Sequence, residues 1–166
     1  MRYITINEKR VFLQTIRELL LVEQVQEMKQ YVQHGNTSTL THCLVVAYYS
    51  YRLALWLPIR FSYKSLIRGA LLHDFYLYDW HIPDQSHKLH GFVHPRIALT
   101  NARRYFILNS IEEDIIRKHM WPLTLNTLPA SREALLVCLV DKLCSLAETL
   151  YFPIQPKSAL FGYCKA

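Results

Sequence analysis

The chain has 166 residues, of which 51% are apolar and 19% are charged. This composition predicts one globular domain over residues 1–166 and excludes a largely disordered chain. The net charge of +6 favours a partner that carries negative charge, but Lys and Arg form no run of five or more, so a dedicated nucleic-acid surface is not expected. With only four glycines, a barrel or sandwich built on many tight turns is also disfavoured.

Apolar spacing and capping signals predict helices along most of the chain. Thr5 and Glu8 form a capping-box pattern before the first apolar run, and Ser110 and Glu113 form a second such pattern. Pro95 fits the first position of another helix. The predicted helices run over about 5–34, from 37–39 to 57, from 62 to 73–74, from 95 onward, from 110 to about 119 and from about 131 to 150.

The segments between these helices carry two further expectations. Residues 75–92 lack periodicity and predict a long loop, which is often functional when it lies inside a compact domain. Pro153 and Pro156 predict an irregular tail over about 151–166. The sequence therefore predicts an all-α, single-domain bundle of about six or seven helices.

Several polar residues lie where burial would be costly. Asp141 follows an apolar run in the last helix, where Leu135, Leu139 and Leu143 predict apolar neighbours on most sides. An unpaired buried charge costs several kcal/mol, so the fold must supply a cation. His73 and Asp74 pose the same question at the end of the apolar run before them.

Any one of these residues has an ordinary explanation, because a lone core histidine is usually hydrogen-bonded and a lone aspartate often caps a helix. Together they place one polar group or pair on each of several helices, which is how helical bundles build metal sites. The set comprises His42, His73, Asp74, His94, His119 and Asp141.

The order His42, His73-Asp74 and Asp141 resembles the HD superfamily of metal-dependent phosphohydrolases, over roughly residues 38–148. His94 and His119 resemble the two further histidines of its two-metal branch. The resemblance implies that His42, His73, Asp74 and Asp141 hold a first metal. It also implies that Asp74 bridges to a second metal held by His94 and His119.

The donor types narrow the expected cofactor to one or two divalent transition metals. Imidazole and carboxylate together suit Fe, Mn, Co, Ni or Zn, whereas Mg²⁺ prefers oxygen ligands. Two metals ~3.5–4 Å apart can clamp a hydroxide and stabilise the oxygens of a phosphoryl transfer.

Substrate oxygens beyond the metals need cations, and Lys142 is the first candidate, followed by Arg96. Asp74, Lys142 and Arg96 are therefore the predicted catalytic residues. Lys118, Arg68 and Lys88 are weaker candidates, and each of the five basic residues has a solvated helix face as its alternative interpretation. Among the remaining histidines, His90 is interpreted as a support or substrate contact, and His81 and His87 as possible pocket residues.

The expected function is metal-dependent hydrolysis of a phosphomonoester or phosphoanhydride bond in a small phosphorylated molecule, with a nucleotide as the leading class. Two alternatives stay open, namely a diiron oxygenase of the same superfamily and a non-catalytic metal-containing binding or regulatory module. The sequence has no secretory h-region, no stretch of ~20 apolar residues and no C-x-x-C pair, so we expect a cytoplasmic protein with reduced thiols and no membrane partner. A homodimer is left open.

Overall fold

The computed structural model describes residues 3–85 and 88–150, and within them the architecture is all-α, as predicted. One short antiparallel sheet is formed by β1 (Val32–His34) and β2 (Thr37–Ser38). The helices are α1 (Ile6–Leu20), α2 (Glu23–Glu27) with a 3₁₀ turn (Met28–Gln30), α3 (Thr39–Trp56), α4 (Tyr63–Leu72), α5 (His90–Tyr105), α6 (Ser110–Lys118) and α7 (Arg132–Thr149). The predicted tail over 151–166 lies outside the described residues.

Side-chain caps explain where several helices begin. The Thr5 hydroxyl accepts from the Glu8 backbone N–H, and the Ser131 hydroxyl accepts from that of Ala134. The second capping box lies one residue earlier than predicted, because Asn109 accepts from the backbone N–H groups of Ile111 and Glu112. The Glu112 carboxylate accepts from the Asn109 backbone N–H in return, which completes the capping box.

The prediction of one helix over 5–34 is wrong. α1 ends at Leu20, Val22 takes an extended backbone conformation, and β1 and β2 follow α2 as a hairpin. Gly35, with φ of 54°, forms the turn in the left-handed region that favours glycine. The hairpin is held from outside by Trp80, whose indole N–H donates to the Val32 carbonyl at 3.1 Å.

The predicted start of the fourth long helix is also wrong, because α5 begins five residues before Pro95. A proline there removes only one backbone hydrogen bond, and the helix continues through it. The imidazole Nδ1 of His94 donates to the His90 carbonyl one turn back, at 2.8 Å. The two imidazoles stack with ring centroids 4.5 Å apart, so this turn brings His90 against a predicted ligand.

The buried core lies around α3 and α4, with α7 packed on α3 and α6 packed on α4. α7 buries Val137 and Val140, but Leu135, Leu139 and Leu143 are each more than half exposed. The expectation that apolar neighbours surround this helix on most sides is therefore wrong, since only one side of α7 packs on the core. In the described part of the chain, no helix has the length and apolar character that crossing a bilayer requires.

Candidate metal centre

The helices bring all six predicted ligands into one buried cluster. The side chains come from the first turn of α3, the C-terminal ends of α4 and α6, the first half of α5 and the middle of α7. Each of these residues is at most 6% exposed. The cluster comprises His42, His73, Asp74, His94, His119 and Asp141.

Asp74 lies at the middle of this cluster. Its Oδ1 is 3.1 Å from Nε2 of His94 and 3.3 Å from Nε2 of His119. Its Oδ2 is 3.3 Å from Nε2 of His73 and 4.0 Å from Nε2 of His42. The two oxygens of one carboxylate therefore face two different pairs of histidines.

Asp141 completes the group on the Oδ2 side. Its Oδ1 is 3.0 Å from Nε2 of His42 and 3.5 Å from Nε2 of His73. We call His42, His73 and Asp141 the first ligand group, and His94 and His119 the second ligand group. Asp74 belongs to both.

Backbone carbonyls fix the tautomers of three of the histidines. Nδ1 lies 2.7 Å from the Ala70 carbonyl in His73 and 2.9 Å from the Ile116 carbonyl in His119, and His94 makes the matching bond already described. A carbonyl only accepts, so the proton of each neutral ring is on Nδ1 and a lone pair is on Nε2.

These lone pairs point at one another and at carboxylates. Nε2 of His94 is 2.8 Å from Nε2 of His119, although neither neutral ring has a proton there to share. Nε2 of His73 and Oδ1 of Asp74 are buried with no hydrogen-bond partner among the described residues. Buried acceptors that face each other need a cation between them, either protons or a metal ion.

The separations within the cluster fit a metal ion. With metal–ligand bonds of about 2.0–2.2 Å, neighbouring ligands of one ion lie about 2.8–3.6 Å apart and opposite ligands lie about 4 Å apart. The distances within each group, 2.8 to 4.0 Å, match these values. The residues present therefore fit one ion in each group.

Protonation is the competing way to supply positive charge. Burial lowers the pKa of His42, but hydrogen bonds with Asp141 and Glu148 outweigh burial and raise it to about 10. Burial raises the pKa of Asp74, but the positive charges of His73 and His94 lower it well below its usual range. Burial lowers the pKa of His119. Protons therefore compete with a metal ion more strongly at His42, in the first group, than at His119, in the second group.

Two residues that the sequence did not single out contact the ligands directly. Glu148 Oε2 lies 2.9 Å from Nδ1 of His42, and the Gln33 amide donates to Oδ2 of Asp74 at 2.6 Å. Carboxylate support behind a ligating histidine is typical of metal sites. Glu148 follows Asp141 by two helical turns, so helical spacing offered a signal for it, whereas Gln33 had none because its segment was predicted to be helical.

Basic side chains predicted to contact the substrate make polar contacts with groups other than the six clustered side chains. The Lys142 ammonium donates to the backbone carbonyl of His119 at 2.7 Å. Arg96 is exposed, two residues beyond His94 on α5, where the helix turns its side chain about 200° away. Lys118 pairs with Asp114 and Arg68 pairs with Glu112, both at 2.7 Å. The catalytic roles of Lys142 and Arg96 stay predictions.

Aromatic residues of the loop after Asp74 pack against His90. Its ring stacks on that of Trp80, with centroids 5.1 Å apart, and its Nδ1 is 2.8 Å from the Tyr78 hydroxyl. His81 is bonded to Asp79 at 3.0 Å, and His87 lies outside the described residues. His90 therefore packs against His94, and its role as a support or a substrate contact stays a prediction.

Fold and site together define a class, namely a helical protein with a buried His/Asp cluster that could hold metal. Comparison with known proteins adds no family to this class, because the chain matches no family model, no curated protein and no solved structure.

Proposed function

We propose that this chain is a two-metal phosphohydrolase of the HD type that acts on a small phosphorylated molecule, with a nucleotide as the leading substrate class. The observation that carries the proposal is the position of Asp74, whose Oδ1 and Oδ2 face separate histidine pairs. A bridging carboxylate between two imidazole-rich positions is what the resemblance to the HD superfamily implies.

The donor set points to the class of metal. Four imidazoles and two carboxylates suit Fe, Mn, Co, Ni or Zn, whereas an oxygen-dominated shell would suit Mg²⁺. When bound, a pair of such ions acts as a Lewis acid toward phosphoryl oxygens and lowers the pKa of water.

The protein's own residues supply orientation and charge. The carbonyls that accept from Nδ1 of His73, His94 and His119 hold each ring with its Nε2 toward Asp74. The excess of Lys and Arg over Asp and Glu attracts an anionic substrate toward the protein. In this proposal, Lys142, whose ammonium lies beside the His119 carbonyl, neutralises the substrate oxygens that do not face the metals. Arg96, whose side chain leaves α5 about 200° from that of His94, adds only to the attraction of the anionic substrate.

Metal analysis combined with a substrate screen tests this function. Untagged protein is analysed by mass spectrometry and then assayed, with added Mn²⁺, Co²⁺ or Fe²⁺, for phosphate release from a panel of nucleotides and sugar phosphates. We expect bound transition metal and metal-dependent hydrolysis. Asp74→Asn should abolish both, whereas Glu113→Gln, which alters a carboxylate paired with Arg103 on the surface of α6, should change neither.

Other results would contradict hydrolysis. Bound iron with oxygen consumption and no phosphate release would identify the oxygenase of the same superfamily. Bound metal with neither reaction would favour the binding or regulatory module. Protein that takes up no transition metal would reject all three.

A further inference from the structure

A hydrogen-bonded relay lies behind Asp74 on the side of the hairpin. Gln33, on β1, is 6% exposed and donates from its amide to Oδ2 of Asp74. Its Oε1 accepts from the Tyr76 hydroxyl and, at 3.3 Å, from the Thr39 hydroxyl. The two hydroxyl oxygens are themselves 3.1 Å apart. We call Gln33, Thr39 and Tyr76 the relay.

The relay fixes which way the Gln33 amide faces. The Tyr76 hydroxyl donates to one end of the amide, and the Asp74 carboxylate at the other end only accepts. The Thr39 hydroxyl has one proton, which lies within reach of both Gln33 Oε1 and the Tyr31 carbonyl. The reversed amide would set its oxygen against the Asp74 carboxylate, which cannot donate, whereas the hydroxyls at the other end can both donate and accept. The N–H of Gln33 therefore always points at Oδ2.

This contact makes the two carboxylate oxygens unequal. Oδ2 accepts a hydrogen bond from the Gln33 amide, whereas Oδ1 has no hydrogen-bond partner among the described residues. Oδ1 thus faces His94 and His119 with its lone pairs uncommitted. The amide also resists rotation of the carboxylate, because rotation would break the bond at 2.6 Å.

The two ligand groups depend on this orientation to different degrees. The first group has a carboxylate of its own in Asp141, which lies 3.0 Å from His42. The second group consists of two imidazoles, and Asp74 is the one carboxylate that the described residues bring within 3.3 Å of both. If Asp74 turns toward the first group, the second group loses its negative ligand.

We infer that Gln33 is a positioning residue that holds Asp74 as a bridge and thereby allows a metal ion to occupy the second ligand group. The inference rests on the metal centre of the proposed function, but it does not depend on which reaction the centre performs. The hairpin supplies Gln33, since the Gly35 turn and the bond from Trp80 to Val32 hold β1 against the cluster.

Cobalt titration of the full chain tests this role. Metal is first removed with a chelator, and Co²⁺ binding is then followed by its visible absorption and by calorimetry. The main variant is Gln33→Met, which keeps the shape of the side chain and removes its amide. The matched control is Gln14→Ala, because Gln14 is an exposed glutamine on α1.

We expect wild-type protein and Gln14→Ala to bind two equivalents of Co²⁺. In Gln33→Met the second equivalent should bind about 10- to 100-fold more weakly, while the first keeps its affinity and its spectrum. Retention of the first equivalent also reports that the fold is intact. Tyr76→Phe removes one donor that orients the amide, so it should weaken the second equivalent less, and it tests the relay if Gln33→Met does not fold.

Three results would overturn the inference. Equal weakening of both equivalents would show a general structural role, and unchanged binding would show that Asp74 needs no support. If wild-type protein binds fewer than two equivalents of Co²⁺, the second ligand group is not a metal site and the inference fails. In contrast, selective loss of the second equivalent supports the role of Gln33 even if no phosphate ester is hydrolysed.

Discussion

The two ligand groups share Asp74 but differ in charge. Asp141 lies among the residues of the first group, and Glu148 stands behind it at 2.9 Å from His42. Behind the second group, the residues that accept from Nδ1 are the neutral carbonyls of His90 and Ile116. Because negative charge strengthens both direct ligation and the basicity of imidazole, the first group should bind a divalent ion more tightly. Similar sets of histidines therefore need not make equivalent sites.

Single-ligand variants should separate the groups most clearly. His94→Ala should leave one tightly bound equivalent, because the first group and Asp74 remain intact. His42→Ala should lower the affinity of the tightly bound equivalent by at least about 100-fold, because it removes the histidine nearest Asp141. Metal content after dialysis, measured by mass spectrometry, checks both variants.

The opposite ranking would break the comparison. If His94→Ala lost both equivalents while His42→Ala kept one, the second group would be the stronger site. His81→Ala is the control, because His81 is half-exposed and bonds to Asp79 instead of the cluster.

The packing of α4 on α6 joins the groups, and Gly69 permits it. A Cβ at Gly69 would lie 2.5 Å from Cδ1 and 3.0 Å from Cβ of Ile115, so Gly69→Ala forces the helices apart. We expect a loss of about 1–3 kcal/mol in the free energy of unfolding, measured in urea. The same shift separates His73 from His119, whose ring centroids are 4.8 Å apart, and should weaken metal binding.

Gly91→Ala is the matched control for this effect. A Cβ there would lie 3.3 Å from the end of the Leu123 side chain, which is about half exposed and can therefore shift. Because alanine favours a helix over glycine, this variant should be neutral or up to about 1 kcal/mol more stable. Equal destabilisation by both variants would contradict the role of Gly69.

Glu148→Gln sharpens the comparison at the first group. The amide keeps a hydrogen bond to Nδ1 of His42 but removes the negative charge, so the first equivalent should bind about 10-fold more weakly. The second equivalent should be unaffected. Glu23→Gln, on the surface of α2, is the control, and an unchanged first equivalent would show that the charge behind His42 is unimportant.

The smallest effect is expected where Asp114 ties α6 to the start of α7. Its carboxylate accepts from the backbone N–H of Ser131 at 2.7 Å and pairs with Lys118. Burial would raise the pKa of Asp114, but the bonds from Lys118 and Ser131 lower it. A lowered pKa in the folded state contributes stability above the unfolded value near pH 4, and this contribution is lost as the pH falls through the folded pKa.

Asp114→Asn should therefore destabilise the protein by about 1 kcal/mol at pH 7. The difference from wild type should shrink below about pH 4, as urea unfolding at several pH values would show. A difference that stays constant from pH 7 to pH 3 would rule out the ionised carboxylate as its cause.

Local chemistry determined which residues form the main helices and which side chains are costly to bury. The caps at Thr5 and Ser131 act within one turn, and an aspartate such as Asp141 in an apolar helix needs a cation wherever that helix packs. The sequence alone therefore identified the six clustered residues and the all-α class.

Only the tertiary structure decided the features that depend on contacts between distant segments. The hairpin that brings Gln33 to Asp74 is held by Trp80, 48 residues beyond Val32, and no local pattern encodes that bond. The cluster divides into two unequal groups because each oxygen of Asp74 faces a different pair of histidines. The bond of Lys142 to the His119 carbonyl follows from the packing of α7 on α6. Helical periodicity fixes the face on which a side chain lies, whereas the packing of the helices fixes which atoms meet.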